Sequence, residues 1–144
     1  MKISSILSTK SSEVITIAPD QTISEAISRL SSYNIGVLIV LGAGGKVVGI
    51  ISERDIVRRL VEDEELLSRE VSEVMTSEVI VGVPDDDVMS VVHTMTEKRF
   101  RHIPVIDKGQ LIGIISIGDI LKAQRDQYQG QIDTLETQIM ASDE

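Results

Sequence analysis

Hydrophobic and polar positions along this chain follow a pattern that is written twice. Val14 to Ile17 is a β-branched run that stops at Pro19, and Val79 to Val83 is another that stops at Pro84. Proline has no N–H for a sheet ladder, so each run predicts a strand with a defined end. Ile23, Ala26, Ile27 and Leu30 then recur at helical spacing. Thr22 with Glu25 three residues later predicts a capping box at the start of that helix. Val88, Val91, Val92 and Met95 form the matching face in the second copy, with Asp85, Asp86 and Asp87 favouring its N-terminus. Two strands follow each helix. Val37 to Leu41 and Lys46 to Ile51 are joined by Gly42-Ala-Gly-Gly45. Ile103 to Ile106 and Gln110 to Ile115 are joined through Asp107-Lys-Gly109, and both loops suit hairpins. A second helix begins at Ser52 or Ser116, so the order is β-α-β-β-α, twice.

The repeat is also visible residue by residue. Val14, Ile15, Pro19 and Asp20 match Val79, Ile80, Pro84 and Asp85, and Gly45, Gly49, Ile50, Ile51, Ser52, Asp55 and Ile56 match Gly109, Gly113, Ile114, Ile115, Ser116, Asp119 and Ile120. Even the lead-ins agree, Ile3-Ser-Ser-Ile-Leu7 against Val71-Ser-Glu-Val-Met75. The expectation is an α+β tandem duplication with units at 3–62 and 70–123, related by a pseudo-twofold and separated by the charged connector Glu62 to Glu70. Residues 124–144 form a helical extension. Leu121, Tyr128, Ile132, Leu135 and Ile139 make an apolar stripe interrupted by Arg125, which asks for a helix to pack on, in its own domain or in a second subunit.

Composition narrows the function. One Phe, two Tyr and no Trp among 144 residues require an aliphatic core. Fourteen basic against 23 acidic residues give a net charge of −9, which argues against nucleic acid and anionic membranes as partners. The absence of Cys excludes disulfides, thiolate metal sites and cysteine nucleophiles. Gly36 to Gly45, the most apolar stretch, falls short of the roughly 18 residues of a membrane helix, and no targeting segment is visible, so a cytoplasmic protein is expected.

The most repeated element is Gly-Ile-Ile-Ser-x-x-Asp-Ile, at Gly49 to Ile56 and Gly113 to Ile120. Ser-x-x-Asp after a strand reads as a helix cap. A first-turn Asp can also accept two hydroxyl hydrogen bonds, the geometry of a ribose diol, beside N–H groups that suit phosphate. Lys98, Arg99, Arg101 and His102 are the one dense basic patch of an acidic chain; as a helix end they could equally be solvated cations that favour the C-terminal dipole. His102 could likewise be a half-buried strand residue, and His93 is assigned no role. Asp85 to Asp87 lack the spacing of a calcium loop, so no metal site is expected.

The duplicated unit ending in Gly-h-h-Ser-x-x-Asp (h, apolar), with Ile-Pro-Val-Ile at 103–106, resembles a pair of CBS domains over about residues 3–123. Ile51-Ser-Glu-Arg-Asp-Ile56 and Arg99-Phe-Arg-His-Ile-Pro-Val105 resemble the small stand-alone bacterial and archaeal members. That resemblance implies a cleft between the halves for AMP, ADP, ATP or NAD(H). Asp55 and Ser52 in one half, and Asp119 and Ser116 in the other, would hold ribose or phosphate. Lys98, Arg99, Arg101, His102 and Arg54 become phosphate candidates. Ile17, Ala18, Val37, Leu38, Val81, Val83 and Ile103 become candidates for an adenine wall. Because the second copy carries the basic patch, the Asp119 site is expected to be the better one. With no Cys, two His on different elements and no base beside either Ser, catalysis is not expected. The expected function is a regulatory, nucleotide-sensing homodimer; the competing one is an adaptor dimer without a nucleotide.

Overall fold

The computed structural model describes residues 1–10 and 13–142; positions 11–12 of the first expected unit and 143–144 of the expected extension lie outside them. The first half contains β1 (Thr16–Ile17), α2 (Ile23–Tyr33), β2 (Val37–Leu41), β3 (Val47–Ser52) and α3 (Glu53–Leu60), after a lead-in helix α1 (Ile3–Leu7). The second half contains α5 (Val88–Lys98), β4 (His102–Asp107), β5 (Gln110–Ser116) and α6 (Ile117–Ser142), after the lead-in α4 (Val71–Val74). In the first sheet β1 runs parallel to β2, and β2 pairs antiparallel with β3. β4 and β5 form the equivalent hairpin, and the two hairpins shift register at matching places, Val40/Leu41 and Val105/Ile106. The expected α+β duplication is present.

One expected strand is nearly lost. Residues 79–83 contribute a single parallel bridge, Gly82 with Val105. Just after that bridge the Asp86 carboxylate accepts the Val83 N–H at 2.9 Å, as Gln21 Oε1 accepts the Ala18 N–H after β1. The capping expectations hold. Thr22 and Glu25 form the reciprocal box, and Asp87 accepts the Met89 and Ser90 N–H groups. The second hairpin closes with the two-residue turn Lys108-Gly109 at φ 52° and 78°, the left-handed pair that matches strand twist.

The lead-ins are exchanged between halves. Ile3 and Ile6 of α1 lie in the core of the second half, with Val88, Val91, Met95, Ile103, Val105, Ile115 and Ile120. Val71 of α4 lies in the core of the first half, with Ile17, Ile23, Leu38, Val40 and Ile51, and Val74 and Met75 pack on it. The backbone repeats the exchange: Ser4 N–H donates to Pro84 O, and Ser72 N–H donates to Pro19 O, both at 3.0 Å. Gly49 and Gly113 have no side chain because a Cβ at Gly49 would overlap the Met75 sulfur, and one at Gly113 would lie 2.6 Å from Leu7 Cδ2. Each sheet thus makes room for the other half's lead-in. The connector adds Leu66, buried in the first core from a 3₁₀ turn at Leu66–Ser68.

The described part of the expected extension, 124–142, is helical. It continues the second half's last helix, so α6 is one element of 26 residues, about 39 Å at 1.5 Å per residue. Its stripe does not dock on the parent domain: Leu121, Tyr128, Ile132, Leu135 and Ile139 are all exposed. No helix among the described residues is long and apolar enough to cross a membrane.

Candidate functional site

Both Ser-x-x-Asp motifs sit where a strand turns into a helix. Ser52 Oγ accepts the Asp55 N–H at 3.2 Å, and the Asp55 carboxylate accepts the Ser52 N–H at 3.0 Å. Ser116 and Asp119 repeat the pair at 3.0 and 2.9 Å. The capping role therefore accounts for both residues, Asp standing where Glu or Gln is usual. Each motif is also tied to the start of its neighbouring strand. Glu53 N–H donates to Gly36 O at 3.0 Å, and Ile117 N–H donates to Arg101 O at 2.9 Å.

The helices that precede those strands end alike. Asn34 and Arg99 cap them in the left-handed region at φ 52° and 61°. The following N–H closes a Schellman bond, Ile35 to Leu30 O at 3.0 Å and Phe100 to Met95 O at 3.2 Å. Asn adopts this conformation readily; a bulky Arg does so less often. The shared turn places Tyr33, Asn34, Gly36 and Val37 of one half where the other has Lys98, Arg99, Arg101 and His102.

A cleft of about 760 Å³ lies between the halves. On the first-half side it is lined by Val37, Ser52, Asp55 and the outer positions of α3, including Arg54 and Arg58. Facing them from the second half are Glu78, Val79 and Ile80 and the segment from Lys98 to His102. The structure thus brings Asp55, Ser52, Arg54, Lys98, Arg99, Arg101, His102 and Val37 to one cleft. Five cations, Arg54, Arg58, Lys98, Arg99 and Arg101, stand against the carboxylates Glu53, Asp55 and Glu78. Arg58 is one turn after Arg54 on α3, so its place was available from i,i+4 spacing.

Asp119 has a different neighbourhood. Lys10 Nζ donates to Asp119 Oδ2 at 2.7 Å and to Ile114 O at 2.7 Å. Burial alone would push the Asp119 carboxyl up, but the Lys10 ammonium and the Ser116 N–H outweigh it and hold it below its ordinary value. Among the described residues Asp55 has no such cation within ion-pair range. The expected pairing is therefore reversed: the basic patch of the second half shares the cleft with Asp55 of the first.

His102 is half-buried beside both. Burial is the main reason its pKa is lowered from 6.5; Lys10 and Arg101 lower it too, and Asp119 opposes them.

The expected adenine wall needs correction. Ile17, Leu38 and Ile103 are 2%, 0% and 3% exposed in the two cores and cannot face a ligand. The middles of β2 and β4 are buried on both faces, so Leu38 and Ile103 have buried neighbours in the strand as well. Val81 and Val83 are exposed outside the cleft, and Ala18 lies outside it too, donating its N–H to Gln21 Oε1. Val37 remains, joined by Val79, Ile80 and Phe100. Val79 and Ile80 were legible as a β-branched run, but not as residues that face the other half.

Comparison with known proteins agrees with the geometry. The CBS domain family model matches residues 3–62 and 71–126. A mitochondrial CBS domain-containing protein of Arabidopsis thaliana is 34% identical over 125 residues, 83% of this chain; the chain spans 61% of that relative's length. The crystal structure of a CBS-domain containing protein from Agrobacterium tumefaciens superposes with a TM-score of 0.80 at 38% identity, covering 85% of this chain and 92% of that one. The CBS domain pair of protein MJ0100, solved in complex with 5′-methylthioadenosine and S-adenosyl-L-methionine, gives 0.78 at 29% identity over 88% of this chain and 98% of that one. With the family model matching both copies, this chain belongs to the CBS-domain family as a tandem pair.

Proposed function

We propose that the cleft beside Asp55 binds an adenosine nucleotide and that the chain is a regulatory module rather than an enzyme. The observation that carries this is the meeting, in one cleft between the halves, of a first-turn carboxylate and a cationic patch within a chain of net charge −9. Asp55 accepts the ribose hydroxyls through the oxygen that does not cap α3. Arg54, Arg58, Lys98, Arg99 and Arg101 take phosphate, and Val37, Val79 and Ile80 flank the base. A complex of a related pair with two adenosine-bearing ligands supports the nucleoside half of this reading. Those ligands carry no phosphate, whereas five cations here favour a phosphorylated one, AMP, ADP, ATP or NAD(H).

Because the cleft is lined by both halves, a bound nucleotide favours the packing in which they face each other as they do here. A ligand at 100 times its Kd adds about 2.7 kcal/mol to that state. Calorimetric titration of AMP, ADP, ATP and NADH, with S-adenosylmethionine as the unphosphorylated comparator, tests the reading. Submillimolar binding that Asp55→Ala weakens at least tenfold is expected. Absence of binding across the panel, or binding indifferent to that substitution, would overturn it.

We further infer that α6 pairs with its counterpart in a second copy of this chain. From Tyr128 to Ile139 its stripe has the alternating four-three spacing of a coiled-coil seam, and the uncharged Gln131 and Gln138 flank it; Arg125 is the charged position that precedes it. α6 starts at the Ser116 cap, so the stripe belongs to the same rigid element as the second motif. Removing residues 126–144 lowers the solution mass to that of a monomer if the helix is the dimerisation device; a truncated chain that stays dimeric refutes this.

A further inference from the structure

We propose that Lys10 is a tethered cation that balances the charge of the second motif's carboxylate, so that the pair binds nucleotide at the Asp55 side alone until Lys10 is displaced. The inference rests on the nucleotide reading above and goes beyond it by naming the residue that meets the second motif's carboxylate. The caps do not distinguish the two motifs, since both make the same two bonds; within the motifs the first has Arg54 where the second has Gly118. The difference is what reaches the carboxylate. Lys10 Nζ lies 2.7 Å from both Asp119 Oδ2 and Ile114 O, so the ammonium bridges the helix start and the strand that leads into it. The cap and the ammonium both fall on Oδ2, so a ribose hydroxyl approaching the other oxygen meets a carboxylate whose charge Lys10 already balances, where Asp55, among the described residues, offers an unpaired one.

The backbone explains why only one lead-in does this. After α1 the chain keeps turning: Ser8 N–H donates to Ser4 O, Thr9 N–H to Ile6 O and Lys10 N–H to Leu7 O. Ser8 and Thr9 hydroxyls reinforce the turn on Ser5 O and Ile6 O, at 2.8 Å each. That carries Lys10 over the Ile114 carbonyl. After α4 the chain instead straightens at Met75, and Thr76 exchanges two backbone bonds with Ile50, the equivalent of Ile114. The residue in register with Lys10 is Glu78, which lines the Asp55 cleft and cannot neutralise a carboxylate. The two lead-ins therefore hold opposite charges over the two motifs.

Native mass spectrometry and calorimetry of the full chain with the tightest nucleotide of the AMP, ADP, ATP and NADH panel test this by stoichiometry. Wild type is expected to bind one nucleotide per chain, lost in Asp55→Ala. Lys10→Met is expected to bind two, and Lys10→Met with Asp119→Ala to return to one. Two per chain in wild type, or one per chain in Lys10→Met, overturns the role of Lys10 and leaves the Asp55 reading standing. No binding by either protein overturns both. NMR titration of His102 reports on Lys10 directly, because removing its charge raises the His102 pKa in a folded variant; an unmoved pKa contradicts the contact on which the inference stands.

Discussion

The two halves of this chain share a backbone and differ in charge where they face each other. Their hairpins bulge at matching residues, their helices end in the same left-handed turn, and their motifs cap the next helix with the same pair of bonds. Yet Lys98, Arg99, Arg101 and His102 stand where the first half has Tyr33, Asn34, Gly36 and Val37, and Lys10 stands in register with Glu78. The residues that hold the fold lie on the inward faces of strands and helices, where aliphatic packing tolerates little change. Those that differ lie at helix ends and lead-in tails, where a new charge leaves the core intact. Duplication thus preserved the scaffold while the two motifs acquired different neighbours.

The largest expected effect comes from breaking the exchange of lead-ins. Ile3 is fully buried in the second half's core, so Ile3→Ala should cost about 2–5 kcal/mol in chemical denaturation. Hydrogen exchange should rise first in α5, β4 and β5; a rise confined to the first half would refute the exchanged packing. Next come the two carboxylates. Asp55→Ala and Asp119→Ala should each lose about 1 kcal/mol of capping, but the first should weaken nucleotide binding at least tenfold and the second should not. Equal losses of affinity would erase the asymmetry between motifs.

A smaller effect concerns His102. Its folded pKa lies below the unfolded 6.5, so the unfolded chain binds more protons between the two values. The contribution of His102 to stability is therefore complete above about pH 6.5 and declines as pH falls toward the folded pKa. In Lys10→Met the folded pKa rises and that window narrows, which denaturation curves across pH 5–7 would reveal. The smallest effect separates the last helices. Gly130 has open space where a Cβ would go, and α3 has no counterpart to that stretch. Gly130→Ala should stabilise α6 by about 1 kcal/mol, read as increased helicity on heating.

Much of the fold was legible because local rules and the repeat agreed. The Thr22–Glu25 box, the Asp87 cap and the Lys108-Gly109 turn are decided by residues within a few positions of each other. The site was legible in part: Ser52, Asp55 and the basic patch were named, but the patch was assigned to the motif of its own half. Ile17, Leu38 and Ile103 were misplaced because apolar character does not say which face of a strand meets a cleft.

What the sequence by itself determined is the duplicated β-α-β-β-α plan, its aliphatic core and a local cluster of cations in an acidic chain. Those follow from periodicity, capping and charge, which act over a few residues or are visible as repetition. Only the tertiary structure decided that each half is completed by the other's lead-in, that Lys98 to His102 face Asp55, and that Lys10 covers Asp119. Residues 10 and 119 meet because a turn after α1 and the packing of Ile3 and Ile6 into the opposite core carry one to the other. No local pattern encodes a contact across 109 positions, since its geometry is set by the packing of everything between.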